Sequence, residues 1–215
     1  MRTIQRWQLT LGLVTAAITG AVHTAAAHPL DTEATLTIHV RNYAEPGAKE
    51  LAEAELFAAA IFRQAGIATR WVEDGDASDA STLSSVENLN NHCNIYVAIQ
   101  SQMMTDRLTV ANNAMGLAPG SGPDRKLVYV FYDRVKDLAR RQVADKVRRL
   151  VAVRAGTSQI LGEMIAHEIG HVLLNLPSHT DTGIMRGYWD LKDLQLVAYG
   201  SLLFTEHQAE AFRWR

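Results

Sequence analysis

The chain has 215 residues, of which 47% are apolar and 20% are charged; this composition gives no sign of disorder and suits a globular protein with one sizeable core. Its formal charge of −2 at neutral pH gives no electrostatic reason to expect a nucleic-acid partner. Cys93 is the only cysteine, so an intramolecular disulfide is excluded.

The N-terminal segment has the composition of a secretory signal peptide. Arg2 and Arg6 precede an apolar run over residues 9–22, and the segment ends in three alanines that form a small-residue cleavage site. We therefore predict a signal peptide over residues 1–27, export to the periplasm or outside the cell, and a mature domain over 28–215. The apolar run is shorter than the roughly 20 residues of a membrane-spanning helix, which disfavours an uncleaved membrane anchor.

The first half of the mature chain alternates between predicted strands and a helix. Residues 35–40 alternate apolar and polar side chains, as in a half-buried strand. Apolar residues then recur at helical spacing over 51–65, a glycine ends the helix, and 67–72 is predicted as a second strand. This order indicates a βαβ unit. Residues 94–100 form the third predicted strand, and Cys93 before it is interpreted as a buried thiol.

The middle of the chain contains two further predicted strands and a helix. Residues 114–118 are short and apolar and precede a segment rich in proline and glycine, which predicts an edge strand. Residues 127–132 are the most strand-like run of the chain. Helical spacing follows over 134–153. Its basic residues are interleaved with Asp137 and Asp145, which favours a solvated helix face over a surface for anions.

The last third is predicted to be helical. One long helix is expected over residues 157–175, with Thr157 or Ser158 as its N-cap. Two shorter helices are predicted to follow, the second opened by a capping box at Thr205 and Gln208. With no internal repeat and no linker, the pattern predicts a single α+β domain on a β-sheet that starts with the βαβ unit.

The long helix carries the sequence His-Glu-Ile-Gly-His at residues 167–171. Residues four apart lie on the same helix face, so the imidazoles of His167 and His171 can converge on one metal ion with Glu168 beside it. Catalytic zinc takes three protein ligands and keeps a fourth position for water, whose proton a neighbouring carboxylate can accept. The motif therefore predicts a zinc-dependent hydrolytic site, and His179 is the candidate third ligand.

Three features resemble the metzincin clan of zinc metallopeptidases, especially its matrixin-like branch. They are the histidine motif, a further histidine after the helix and a Gly-Ile-Met turn that ends at Met185. The resemblance implies a twisted mixed sheet, an active-site helix, a Met-turn beneath the metal and C-terminal helices. The sequence departs from the usual H-E-x-x-H-x-x-G-x-x-H, because Leu174 and Pro177 stand where Gly and the third His are expected. His179 lies two residues later, and Asn175, which enters the left-handed conformation readily, can end the helix instead of Gly.

Other residues are open as parts of the site. Asp181 is the nearest alternative third ligand, and Glu206 or Glu210 is a remoter one, on the pattern of the thermolysin-like clan. Tyr188 could reach the metal or a developing oxyanion, as a tyrosine does in some metzincins, although an aromatic wall is the preferred interpretation.

These features together predict a secreted zinc-dependent endopeptidase with His167, His171 and His179 as ligands of Zn²⁺. Glu168 is expected to act as general base towards a zinc-bound water that attacks the peptide carbonyl, and then to return the proton to the leaving amine. A protein or peptide substrate would lie extended along the edge strand. The resemblance further implies that residues 186–188 line the pocket for the substrate side chain.

Two other function classes stay open. One is a secreted module that binds zinc or peptides without catalysis, which the intact Glu168 disfavours. The other is a zinc-dependent hydrolase of another substrate, such as RNA, which the predicted export disfavours. No nucleic-acid partner and no stable membrane insertion after signal cleavage are expected, and the oligomeric state is not readable from the sequence.

Overall fold

The computed structural model describes residues 35–73, 93–119, 126–149, 155–175 and 178–213. All of them belong to the unit Thr32–Arg215. The predicted signal peptide lies outside the described residues and stays a prediction. Cys93 begins a strand, as expected, but its side chain is outside the described part of the structure, so the buried thiol also stays a prediction.

The strands form one mixed sheet. They are β1 Thr35–Asn42, β2 Ala68–Glu73, β3 Cys93–Gln100, β4 Gly116–Leu117 and β5 Leu127–Phe131. Their order across the sheet is β2-β1-β3-β5-β4. β1, β2, β3 and β5 run parallel, and β4 pairs antiparallel with β5 at one edge. The predicted mixed sheet with a βαβ start is therefore confirmed.

Six helices accompany the sheet in the described part of the chain: α1 Ala48–Gln64, α2 Gln102–Thr105, α3 Tyr132–Arg149, α4 Thr157–Leu174, α5 Leu191–Ala198 and α6 Glu206–Arg213. The predicted α+β class with a long motif-bearing helix and C-terminal helices is confirmed. α2 was not predicted, because a single turn is too short to show helical periodicity in a sequence. Within these described ranges, no helix combines the length and the apolar character needed to cross a bilayer.

The structure corrects two details of the prediction. β4 is shorter than the strand expected over residues 114–118, because the N–H of Ala114 donates to the Ala111 carbonyl in a turn. The N-cap of α4 is Gly156 and not Thr157 or Ser158. The Gln159 side chain accepts the Gly156 N–H at 2.9 Å, and the helix begins one residue earlier than a Thr157 cap requires and two earlier than a Ser158 cap requires.

Capping boxes begin the last two helices. Asp190 accepts the N–H of Asp193, and the Asp193 carboxylate accepts the N–H of Asp190 at 2.8 Å. The predicted box at the start of α6 is confirmed, because Thr205 Oγ1 accepts the N–H of Gln208 and the Gln208 side chain accepts the N–H of Thr205. Each box satisfies N–H groups that a helix start leaves unpaired.

The core lies between the sheet and the pair of helices α1 and α4. Gly162 on α4 packs so closely on α1 that a Cβ at this position would lie 2.5 Å from the carbonyl oxygen of Ala54. Every residue of α4 from 160 to 170 is buried. The motif-bearing helix is therefore a central element of the domain, and its side chains are set by packing on all sides.

Glu163 places a carboxylic acid inside this core. The residue is 3% exposed, and its Oε2 has no hydrogen-bond partner among the described residues. Burial raises the pKa of Glu163 well above its ordinary value of 4.5, because the charged form loses its hydration. The neutral side chain therefore contributes fully to stability below the unfolded-state pKa, and this contribution is lost as the pH rises towards the folded-state pKa.

We expect Glu163→Gln to be more stable than the wild type at pH 8, with a Tm higher by roughly 2–10 °C, because the variant buries no titrating group. The difference should shrink towards pH 5. Thermal unfolding in the presence of a chelator at pH 8 and pH 5 measures the Tm difference between variant and wild type. Glu210→Gln, at an exposed position of α6, is the control. An equal Tm difference at the two pH values would contradict the assignment.

Candidate metal centre

α4 places His167 and His171 one helical turn apart on the same face. Their Nε2 atoms lie 3.2 Å apart. Two nitrogens that bind one tetrahedral zinc at about 2.1 Å would be separated by about 3.4 Å, so the spacing fits a shared ion. His167 is buried and His171 is half-buried, which leaves the pair open on one side.

His179 reaches the same point from the segment that follows α4. Asn175 takes the left-handed conformation, with φ 51° and ψ 40°, at the end of the helix, as predicted. The ring centroid of His179 lies 5.3 Å from that of His167 and 4.9 Å from that of His171. One ring nitrogen from each of the three lies within 4.8 Å of the others. The longer turn thus still brings three imidazoles together.

The alternative ligands are placed elsewhere. Across the described ranges, the three histidines are the group of His, Cys, Asp and Glu side chains close enough to hold one metal ion. Asp181, Glu206 and Glu210 are exposed and do not belong to that group. Tyr188 is also exposed, with a fractional exposure of 72% for the residue, which does not favour a role as ligand.

A hydrogen bond orients the ring of His167. Its Nδ1–H donates to the carbonyl oxygen of Ile184 at 2.7 Å, which leaves the lone pair of Nε2 for a metal. Burial lowers the pKa of His167 to about 3; the nearby His171 and His179 act in the same direction, and the hydrogen bond opposes them. His167 is therefore neutral at physiological pH, which is the form that binds metals.

The Met-turn lies against the motif helix. Met185 is fully buried, and a Cβ at Gly170 would lie 2.5 Å from its Sδ. The turn is closed by the N–H of Thr180, which donates to the Met185 carbonyl at 2.9 Å. The N–H of Ile184 donates to the Leu203 carbonyl, also at 2.9 Å, and ties the turn to the C-terminal segment. Met185 therefore acts through packing.

Two residues after the Met-turn contact the histidines directly. Trp189 is buried, and its ring meets that of His167 edge-on with 5.9 Å between centroids. Gly187 lies against His179, because a Cβ at this position would be 2.7 Å from Nδ1. Neither contact was predicted from the sequence. The sequence shows that Gly187 and Trp189 follow the turn, but their contacts with the histidines exist only in the folded chain.

The carboxyl group of Glu168 lies between α4 and the edge strand β4. Glu168 is 5% exposed, and a Cβ at Gly116 on β4 would lie 2.5 Å from its Oε1. Burial raises the pKa of Glu168 to about 8, because the charged form loses its hydration. A carboxyl group with a pKa displaced towards neutrality suits a group that both accepts and returns a proton.

The segment after the Met-turn is tied to α5 by Arg186. Its guanidinium nitrogen lies 2.5 Å from Asp193 Oδ2 and 3.7 Å from Asp190 Oδ2. Asp193 is buried, so the pair joins this segment to the body of the domain. The charge of Arg186 is therefore compensated within the chain, whereas the neighbouring Tyr188 presents its ring to solvent.

The donor set fits zinc. Three neutral imidazoles suit zinc and other first-row transition metals, and three protein ligands leave one position of a tetrahedral zinc open. The orientation of His167 by a backbone carbonyl is the outer contact that such ligands usually have. The group of His167, His171 and His179 could therefore hold a zinc ion.

Comparisons with known proteins find similarity among solved structures only. No protein-family model matches the sequence, and no curated protein matches it. Among solved structures, archaemetzincin from Methanopyrus kandleri is similar, with 11% sequence identity, coverage of 86% of this chain and 97% of that chain, and a TM-score of 0.44. A likeness at this level concerns the fold and says nothing about ligands or activity. Membership of the matrixin-like branch stays a prediction.

We expect Gly187→Ala to weaken zinc binding by roughly 10–100-fold, because the added methyl group would displace His179 from the position shared with the other two rings. Competition with a chromophoric chelator measures the Kd. Gly47→Ala is the matched control, since nothing lies within 4 Å of a Cβ at that position. Unchanged zinc affinity in Gly187→Ala would show that the contact does not position His179.

Proposed function

We propose that this protein is a zinc-dependent endopeptidase, with His167, His171 and His179 as zinc ligands and Glu168 as general base. The observation that carries the proposal is the convergence of the three ring nitrogens within 4.8 Å; two of them belong to α4, which also carries the buried carboxyl group of Glu168. Three histidines and one adjacent carboxylate are the parts that zinc-assisted hydrolysis requires.

The roles of the residues follow from their surroundings. A zinc ion, when bound, supplies a Lewis acid that polarises a substrate carbonyl and lowers the pKa of water. Glu168 accepts the proton of the attacking water while the new C–O bond forms. It then gives the proton to the amine nitrogen as the C–N bond breaks, so that the carboxylate is regenerated.

The raised pKa of Glu168 belongs to the metal-free site. A divalent cation nearby stabilises the carboxylate form and lowers this pKa from about 8, so that Glu168 can act as a base near neutral pH. The burial that raises the pKa also keeps bulk water away from the carboxyl group. Glu168 therefore retains the proton between the two steps.

The substrate is proposed to lie along β4. This strand is at the edge of the sheet, and β5 pairs with its other side. An extended peptide can add a strand to such an edge through backbone hydrogen bonds, which suits protein substrates of varied sequence. Residues 186–188 then form the wall for a substrate side chain, with the exposed Tyr188 as its apolar surface.

The proposal places the enzyme outside the cytoplasm. It rests on the sequence of residues 1–27, in which two arginines precede an apolar run and three alanines end the segment. The mature enzyme, residues 28–215, would act in the periplasm or outside the cell on protein or peptide substrates. It would have no nucleic-acid partner and no stable membrane insertion.

We expect Glu168→Gln to lower kcat/KM for peptide cleavage by about 10²–10⁴-fold while zinc content stays at one per chain, because the amide cannot accept the proton. Cleavage of casein or of a peptide library, with zinc measured by elemental analysis, tests both parts. Full zinc occupancy in the wild type with no cleavage under varied conditions would reject the peptidase and favour a non-catalytic zinc module. Cleavage of RNA alone would favour the other hydrolase.

We expect His179→Ala to lower the affinity for zinc by more than the 10–100-fold that is typical of residues outside the ligand set, because a direct ligand is removed. His207→Ala, a histidine at an exposed position of α6, is the matched control. Chelator competition gives both dissociation constants. A zinc affinity in His179→Ala equal to that of the wild type would remove His179 from the ligand set.

A further inference from the structure

Gly116 leaves space that the carboxyl group of Glu168 fills. A Cβ at Gly116 would lie 2.5 Å from Oε1, 2.6 Å from Cγ and 2.7 Å from Cδ of Glu168, all closer than real Cβ contacts. The φ angle of Gly116 is not positive, unlike that of Gly66, Gly183 or Gly200, so other residues could adopt its backbone conformation. Glycine is therefore required at this position for space and not for conformation.

β4 is not free to move away from the carboxyl group. The N–H of Phe131 on β5 donates to the Met115 carbonyl at 2.9 Å, and Gly116 pairs with Val130 in the antiparallel ladder. On the preceding turn, the guanidinium of Arg134 donates to the carbonyl of Ala114. A side chain added at Gly116 would thus be accommodated by a shift of Glu168 more readily than by a shift of the strand.

Glu168 itself is 5% exposed and lies on a closely packed part of α4. Its neighbours in α4 are buried from residue 160 to 170, and a Cβ at Gly170 would already meet Met185. A side chain added at Gly116 would therefore push the carboxyl group away from its present place. The residue opposite Glu168 on β4 thus determines where the carboxyl group lies.

We propose that Gly116 is a positioning residue for Glu168: its missing side chain forms the slot between β4 and α4 that holds the carboxyl group directly beneath the edge strand. The role of this slot in catalysis rests on the proposed function, whereas the contact between Gly116 and Glu168 is independent of it. Gly116 would then determine the position of the Glu168 carboxyl group relative to a substrate bound along β4. The three atoms nearest to a Cβ at Gly116 all belong to Glu168 and none to a histidine.

A double-mutant cycle in stability tests the slot without any activity assay. We expect Gly116→Ala to lower the Tm of the metal-free protein by about 4 °C or more, because overpacking a rigid contact is destabilising. The same substitution should lower the Tm equally in Glu168→Gln, which keeps the shape of the side chain and removes its charge. In Glu168→Ala it should cause no loss, because the methyl group then has space.

The same double-mutant cycle can reject the proposed contact between Gly116 and Glu168. An equal loss of Tm on Gly116→Ala in the Glu168→Ala background would show that the cost arises elsewhere on β4. Should Gly116→Ala alone fail to fold, folding restored by Glu168→Ala supports the proposal, and failure of the double variant as well rejects it.

Kinetics and metal binding test the positioning role. We expect Gly116→Ala to bind zinc with the affinity of the wild type and to lose about 100-fold in kcat with little change in KM, because a shift of about 1 Å in a catalytic group costs this much. Gly187→Ala should show the opposite pattern, a loss of zinc affinity. Wild-type kcat in Gly116→Ala would overturn the positioning role and leave the peptidase intact. A wild type that cleaves nothing, together with the expected cycle, rejects the peptidase and supports the slot.

Discussion

The enclosure of α4 on all sides is the constraint on which the rest of the structure depends. Residues 160–170 of this helix are buried, so neighbouring elements pack closely on it from every side. Glycines occur where this happens: Gly162 faces α1, Gly170 faces Met185, and Gly116 on β4 faces Glu168. None of the three has a positive φ, so glycine is needed there for the close approach of a neighbouring element and not for its backbone conformation.

The same enclosure determines the electrostatic state of the site. Burial disfavours whichever form is charged, so one cause lowers the pKa of His167 and raises that of Glu168. The result is a neutral imidazole that can bind a metal beside a carboxyl group suited to carry a proton. Glu163, one turn earlier, has a raised pKa from the same cause, which shows that such a shift alone does not identify a catalytic acid.

Much of the site could be predicted because its information is local in sequence. The spacing of His167 and His171 on a helix depends only on helical geometry, and the tendency of Asn175 towards the left-handed conformation belongs to the residue itself. The alternation of apolar and polar residues likewise predicted β1, whose bounds the structure extends by two residues to Asn42.

The rest depends on contacts between residues distant in sequence. The approach of Gly116 to Glu168 and that of Gly187 to His179 exist only after strands, helix and turn are assembled. The short length of β4 was also not predictable, because the apolar residues before it fold into a turn that resembles a strand in composition. The cap at Gly156 depends on a side chain inside the helix, that of Gln159, because Gly156 has no polar side chain of its own to mark it as an N-cap.

The three candidate ligands differ in how strongly the fold restricts their side chains before a metal binds. The ring of His167 is fixed by burial and by the carbonyl of Ile184, whereas His179 stands exposed on a segment outside the helix. A metal ion shared by the three rings would therefore restrict the rotamers of His179 more than those of His167. The rate at which such an ion is released, as distinct from its equilibrium affinity, would then depend on the segment after α4.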